Sequence, residues 1–250
     1  MTETPTPLVH TIALSWRLAV QGARAGASRL SLLYSGGLDS SLVAFELRGM
    51  AEVELVTIGV AGSSDLIAAE EGARLLDMPW VGRTIEGGDV ERVLRRDQVT
   101  LDQTSPVSRA VLVSTALALD AASCAHVLCG QGADELFLGY AHFEKLSPFA
   151  ATERRRTDLE HLLGEDWPRS IQLAEGRGKT LSSPYLEPEF LNLVRALPVA
   201  QLREGEGRKP LLRDVAESLG LPEPLVLRPK KAFQYGSGVD RLLRSRSEGR

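Results

Sequence analysis

Ser35-Gly36-Gly37-Leu38-Asp39-Ser40-Ser41 lies between an apolar run at 30–34 and an apolar-periodic run at 42–47. The first run reads as a buried strand and the second as a helix. A small-residue turn from strand into helix is a place for phosphate. Two glycines let the backbone approach, free N–H groups and serine hydroxyls donate to oxygens, and the helix N-terminus favours negative charge. Asp39 by itself repels phosphate, which implies a cation, Mg²⁺, between the two. The combination points to pyrophosphate held with Mg²⁺, and so to ATP cleaved between its α and β phosphorus atoms. The turn is not a Walker A loop, which needs Gly-Lys-Ser/Thr after its glycines. Gly178-Lys179-Thr180 occurs later, with Leu173 where that motif wants its first glycine, and Gly-x-Gly-x-x-Gly is absent. An isolated Ser-Gly-Gly could equally be a plain turn with a Ser/Asp helix cap. The seven-residue string is more specific than that, and it has companions.

Outward from this turn the chain alternates. A loose arm at 1–9 leads to a helix at 11–23, where Leu14 pairs with Leu18 and Trp16 with Val20, ended by Gly26. Strands are expected at 30–34, 53–60, 80–85 and 125–129, with helices at 42–47, 66–76, 87–94 and 109–121 between them. Residues 97–107 read as a polar connection. Alternation of this kind predicts an α/β fold, a parallel sheet covered by helices on both faces. Ligands bind such sheets at the carboxyl ends of the strands. After Tyr140 only helical stretches are expected, near 152–163, 168–175, 187–197, 209–218 and 238–246. The organisation read from this is an arm and helix at 1–27, then one domain at 28–250, with an α/β core at 28–140 and a mainly helical extension at 141–250.

The chain has 250 residues, a formal net charge of −4 and a pI near 5.7. Its apolar and charged fractions are those of an ordinary globular protein, and the charge argues against binding a nucleic-acid backbone. Cys124 and Cys129 lie in an apolar run and read as buried thiols. Their spacing matches no common zinc or redox pair. The N-terminus lacks a signal-peptide pattern and no apolar run reaches membrane-spanning length, so a cytoplasmic setting without membrane association is the default expectation.

A second turn, Gly130-Gln131-Gly132-Ala133-Asp134-Glu135, again follows a strand with small residues and then acids, and continues through Phe137 to Gly139-Tyr140. Asp134 could meet Asp39 across neighbouring strand ends and share Mg²⁺ with it. The alternative is that Asp134 and Glu135 simply match the dipole of a solvated helix start. A third stretch, Arg228-Pro229-Lys230-Lys231-Ala232-Phe233-Gln234-Tyr235-Gly236-Ser237-Gly238, mixes a basic run with aromatics and glycines. Lysines over a triphosphate would neutralise charge on departing pyrophosphate.

Together these strings resemble the synthetase domain of asparagine synthetase and its relative beta-lactam synthetase, within the class of pyrophosphate-loop (PP-loop) ATP pyrophosphatases. The resemblance runs from about 28 to 240. It also includes Ile58-Gly59-Val60-Ala61-Gly62-Ser63-Ser64-Asp65-Leu66 with Ala68-Ala69, Pro184-Tyr185-Leu186-Glu187-Pro188-Glu189-Phe190 and Arg208-Lys209-Pro210-Leu211-Leu212-Arg213, in family order. It implies a PP-loop, HUP-type core of the adenine-nucleotide alpha-hydrolase kind, with ATP and Mg²⁺ as cofactors. By resemblance Ser35, Gly36, Gly37 and Ser40, with Gly130, hold the nucleotide phosphates, and Asp39 with Asp134 coordinates the metal. Leu33 and Ile58 lie near adenine, and Lys230 stabilises the adenylation and later transition states. The implied reaction is carbon–nitrogen ligation, as in asparagine biosynthesis. A carboxylate becomes an acyl-adenylate, pyrophosphate leaves, and an amine or ammonia displaces AMP.

Two departures bear on the substrate. Thr2, not cysteine, follows Met1, and the loop at 35–41 comes too early for an N-terminal glutaminase domain. Ammonia is then free, comes from a separate glutaminase subunit, or is replaced by another amine. The family's Gly-Glu-Gly is Gly130-Gln131-Gly132, and Gln131 can hydrogen-bond but cannot take a proton near neutral pH. Glu135 is the alternative base, or a brace for the loop. The partners expected are a small carboxylate and an amine, with an acceptor pocket near 101–106 and 141–180, and a homo-oligomer is open. The two competing readings are a PP-loop enzyme that modifies RNA and a non-catalytic nucleotide-binding subunit.

Overall fold

A computed structural model of the chain describes residues 5–228 and 236–247. The N-terminal half runs α1 (Pro7–Arg24), β1 (Arg29–Leu33), α2 (Leu38–Leu47), β2 (Glu52–Gly59), α3 (Ser64–Leu76), β3 (Trp80–Thr84), α4 (Gly87–Arg96), α5 (Gln98–Leu101), α6 (Pro106–Ala121) and β4 (His126–Leu128). There follow α7 (Ala133–Leu136), α8 (Pro148–His161), a π-helical turn (Leu162–Asp166), α9 (Trp167–Glu175), β5 (Thr180–Ser182), α10 (Pro188–Arg195), α11 (Val199–Leu202), α12 (Pro210–Leu219), α13 (Glu223–Val226) and α14 (Val239–Ser247).

Three helices start by the same device. Thr6-Pro7, Ser105-Pro106 and Ser147-Pro148 each place a hydroxyl that accepts a backbone N–H of the first turn, followed by a proline with φ already set. This is why α1 begins at Pro7, four residues ahead of the apolar spacing. Both apolar pairs expected on α1 are helical, but only one docks. Trp16 and Val20 are buried, Trp16 against Tyr185 and Phe190 at centroid distances of 4.6 and 5.3 Å, while Leu14 and Leu18 face solvent.

The five strands form one parallel sheet in the order β3-β2-β1-β4-β5. Their pleat divides the interior in two. Leu30, Leu32, Leu55 and Leu128 enter a core with α1, α2, α3 and the C-terminal helices. Val56, Ile58, Val127 and Leu181 enter a second core with α4, α6 and α9. The chain winds outward from β1 through β2 to β3, then returns to the other side of β1 with β4 and β5. Strand order therefore reverses between β1 and β4, where a crevice opens at the carboxyl ends.

One expectation is corrected. Only helical stretches are expected after Tyr140, in a mainly helical extension, yet β5 extends the sheet there. Three residues with a single buried side chain, Leu181, are too short to show a period. No helix among the described residues is long and apolar enough to cross a membrane.

Candidate active site

The 35–41 turn is held by its own side chains. Ser35 N donates to Ser40 Oγ at 3.2 Å, and Ser40 Oγ donates to Gly37 O at 3.3 Å. Gly36 has φ +70°, and a Cβ there would lie 2.5 Å from the carbonyl of Ala68 in α3. The loop is thus wedged against α3 at a point only glycine fits. Arg228, the first residue of the third motif, closes this contact from outside. Its guanidinium donates to the carbonyls of Gly36 and Ala68 and pairs with Glu71. Lys230, expected over the triphosphate, and the rest of 229–235 lie outside the described residues.

The second turn stands beside the first. Gly132, at φ +97°, opens α7, and a Cβ there would meet Leu186 at 2.5 Å. The loop hangs from the short strand β5: Cys129 N donates to Ser182 O at 3.0 Å, and Ser183 Oγ donates to Gln131 O at 2.6 Å. The element missed in the sequence is therefore the one that positions Gln131.

Asp39 and Asp134 converge. Both carboxylates contact the same cation, the ammonium of Lys209: Nζ lies 2.6 Å from Asp39 Oδ1 and 2.7 Å from Asp134 Oδ1. Lys209 is only 3% exposed. It stands before α12 with a left-handed backbone, φ +55°, and arrives from a motif singled out in the sequence without a role. Gly139 makes room, since a Cβ there would lie 2.1 Å from Lys209 Cε and 2.0 Å from Asp134 Oδ1. No cluster of three or more His, Cys, Asp or Glu suited to a metal occurs among the described residues. Two carboxylates already brought to one positive charge nevertheless fit Mg²⁺, which takes one or two protein carboxylates and completes its shell with phosphate and water.

Glu135 is buried, and Tyr140 Oη donates to its Oε1. Burial, then the neighbouring Asp134 charge, pushes its carboxyl up to about 7 from an ordinary 4.5. A carboxyl raised in the fold stabilises it fully below pH 4.5, and this contribution is lost as pH rises through about 7. Metal-free protein should therefore lose stability across that window, while Glu135→Gln should flatten it. Denaturation midpoints between pH 4 and 8 check this, and an unchanged slope in the variant would refute the assignment.

These groups share a cavity of about 520 Å³. Leu33, Ser35, Asp39, Ser40, Gly130, Gln131, Asp134 and Glu135 all line it. Gly36 and Gly37 do not line it, and Gly36 lies against α3 instead. Ile58 does not line it: its position on the β2 pleat turns it into the second core. The far end is built from parts the sequence left vague. Ser105 and Ser108 come from the start of α6, and His142, Arg154, Asp158, His161 and Asp166 from the region after Tyr140. Arg154 Nε pairs with Asp158 Oδ1 at 2.8 Å, and Ser108 Oγ donates to Asp166 Oδ2 at 3.3 Å. Burial raises the Asp166 carboxyl, and the nearby His161 offsets part of that rise. Helical spacing on α8 could have grouped Arg154, Asp158 and His161, but nothing local showed which face turns inward.

The sequence profile of the asparagine synthase family matches residues 17–181 and 150–248. An asparagine synthetase-type (glutamine-hydrolyzing) protein of Methanocaldococcus jannaschii is 28% identical over 257 residues, 87% of this chain and 47% of that one. Asparagine synthetase (glutamine-hydrolyzing) of Rattus norvegicus is 31% identical over 226 residues, 83% of this chain and 40% of that one. The chain thus spans less than half the length of these two relatives. The solved NMN synthetase of Francisella tularensis superposes at a TM-score of 0.47 and 11% identity, covering 98% of this chain and 87% of that one.

Proposed function

This chain belongs to the asparagine synthase family, and we propose that it is an ATP-dependent ligase that adenylates a small carboxylate, releases pyrophosphate and joins the acyl group to ammonia or another amine. The observation that carries the reading is the meeting of two strand-end turns at the sheet's switch point. Asp39 and Asp134, which share one cation there, both line a cavity that Ser35 and Ser40 of the 35–41 loop also line.

In this reading the backbone N–H groups and hydroxyls of the 35–41 loop bind the β and γ phosphates as a unit. Asp39 and Asp134 would hold Mg²⁺, which supplies charge neutralisation for the departing pyrophosphate. Leu33, on the cavity wall, offers apolar surface to adenine. The α phosphorus is left open to the rest of the cavity, which Gln131 also lines and where the acceptor carboxylate enters. Glu135 is the base candidate for the attacking amine, since a carboxyl near 7 is divided between its two forms at neutral pH. Lys230 is proposed to meet charge on pyrophosphate. The sulfur-transfer version of the RNA reading has little support, because burial pushes the Cys129 thiol up to about 12 and no reactive thiolate results.

Pyrophosphate exchange tests the proposal. Labelled pyrophosphate should enter ATP only when a carboxylate from a panel of amino acids and small dicarboxylates is supplied. Release of ADP and orthophosphate instead would overturn it. Gln131→Glu tests the substrate side: exchange driven by aspartate should rise if this residue excludes it, and no gain would place the difference elsewhere in the cavity.

A further inference from the structure

The phosphate grip, the carboxylate pair and the base leave one buried charge behind the cavity wall without a role, the ammonium that Asp39 and Asp134 share. Lysine is rarely buried unless paired, and Lys209 is paired twice, 2.6 and 2.7 Å from carboxylates of α2 and α7. Its backbone adopts a left-handed conformation, φ +55°, that is costly for a non-glycine residue. Gly139 keeps clear the space its side chain fills. The local chain is thus shaped to bring this ammonium between Asp39 and Asp134.

That point is also where a divalent cation would bind. An ammonium and a metal ion compete for the same two carboxylates. Two cations that close together repel, and in a buried setting water screens them weakly. We propose that Lys209 is a resident counter-ion that competes with the divalent cation for Asp39 and Asp134, so that metal enters with nucleotide and not before it. Without nucleotide, the ammonium displaced by the metal gives up both of its ion-paired anionic partners, Asp39 and Asp134. With nucleotide, the phosphates beside the 35–41 loop supply one. Metal and nucleotide then strengthen each other's binding, by the same factor in both directions. The inference rests on the assignment of ATP and Mg²⁺ above, but it concerns binding and can be read without turnover.

Mn²⁺ serves as the probe, titrated by electron paramagnetic resonance into the full chain, with and without the non-hydrolysable α,β-methylene analogue of ATP. Wild-type protein should bind Mn²⁺ weakly alone and much more tightly with the analogue. Lys209→Met should bind Mn²⁺ roughly tenfold more tightly without nucleotide, and the gain from the analogue should shrink, a factor within the usual range of coupling between sites. Lys209→Arg, which keeps the charge, should stay close to wild type. Should Lys209→Met prove too unstable, Asp134→Asn compared with Asp134→Asn/Lys209→Met removes the facing charge and should show the same tightening. Unchanged or weaker Mn²⁺ binding after loss of the lysine overturns the inference. If pyrophosphate exchange is intact in the wild type, that outcome overturns this inference alone. If no protein binds Mn²⁺ even with the analogue, the assignment of nucleotide and metal falls as well.

Discussion

Asp39→Asn is expected to lower Mg²⁺-dependent pyrophosphate exchange by about 10³-fold or more, the scale of losing a charge contact worth several kcal/mol at the reacting phosphate, while costing the fold little. The two halves of this expectation come from one geometry. Two carboxylates and one ammonium meet within 2.7 Å. Taking away one carboxylate leaves Lys209 and Asp134 as a pair of opposite charge, which a buried site tolerates far better than an excess of one sign. Asp39 also anchors Tyr185, whose hydroxyl donates to it at 3.1 Å, but through its backbone oxygen, which asparagine keeps. Asp134→Asn should behave alike, and the double variant should be no slower than the worse single one if both residues serve one cation. Exchange rates and thermal midpoints check both parts. Exchange within tenfold of wild type in either single variant would remove that carboxylate from the chemistry.

Much of this site could be read along the chain because its parts are local. Turns at 35–41 and 130–135 each follow an apolar run, and each needs only its own glycines and acids to be recognised. Strands β1 to β4 were legible for the same reason, as apolar runs bounded by turn residues. What stayed hidden depends on distant partners. Lys209 meets Asp39 across 170 positions, and nothing beside it distinguishes an inward lysine from the solvated ones. The choice between the Leu14–Leu18 and Trp16–Val20 faces of α1 is made by Tyr185 and Phe190, far along the sequence. Leu33 and Ile58 both end apolar strands, yet only Leu33 lines the cavity. β5 gains its strand conformation from pairing with β4, not from its own three residues.

Gly36→Ala should inactivate the protein and destabilise it well beyond the cost of a left-handed alanine, and Gly62→Ala makes that separable. The two glycines share φ +70°. At Gly62 an added Cβ meets nothing within 4 Å, so the substitution exacts only the conformational cost, about 1–2 kcal/mol. At Gly36 the same Cβ would lie 2.5 Å from Ala68 C and O and 2.7 Å from Ala69 N. These are backbone atoms inside α3, bound on the other side by Arg228, and they cannot swing away as a flexible side chain could. Either α3 shifts or the loop does, at a further ~1–3 kcal/mol for the forced overlap. A loop displaced from α3 must also break its hydrogen bonds among Ser35, Gly37 and Ser40, and with them the N–H array proposed to bind phosphate. Exchange should therefore vanish in Gly36→Ala and persist in Gly62→Ala, with a gap of at least ~1 kcal/mol between their unfolding free energies in urea. Equal stability losses would mean that the loop is free to move off α3, and that its shape owes nothing to this contact.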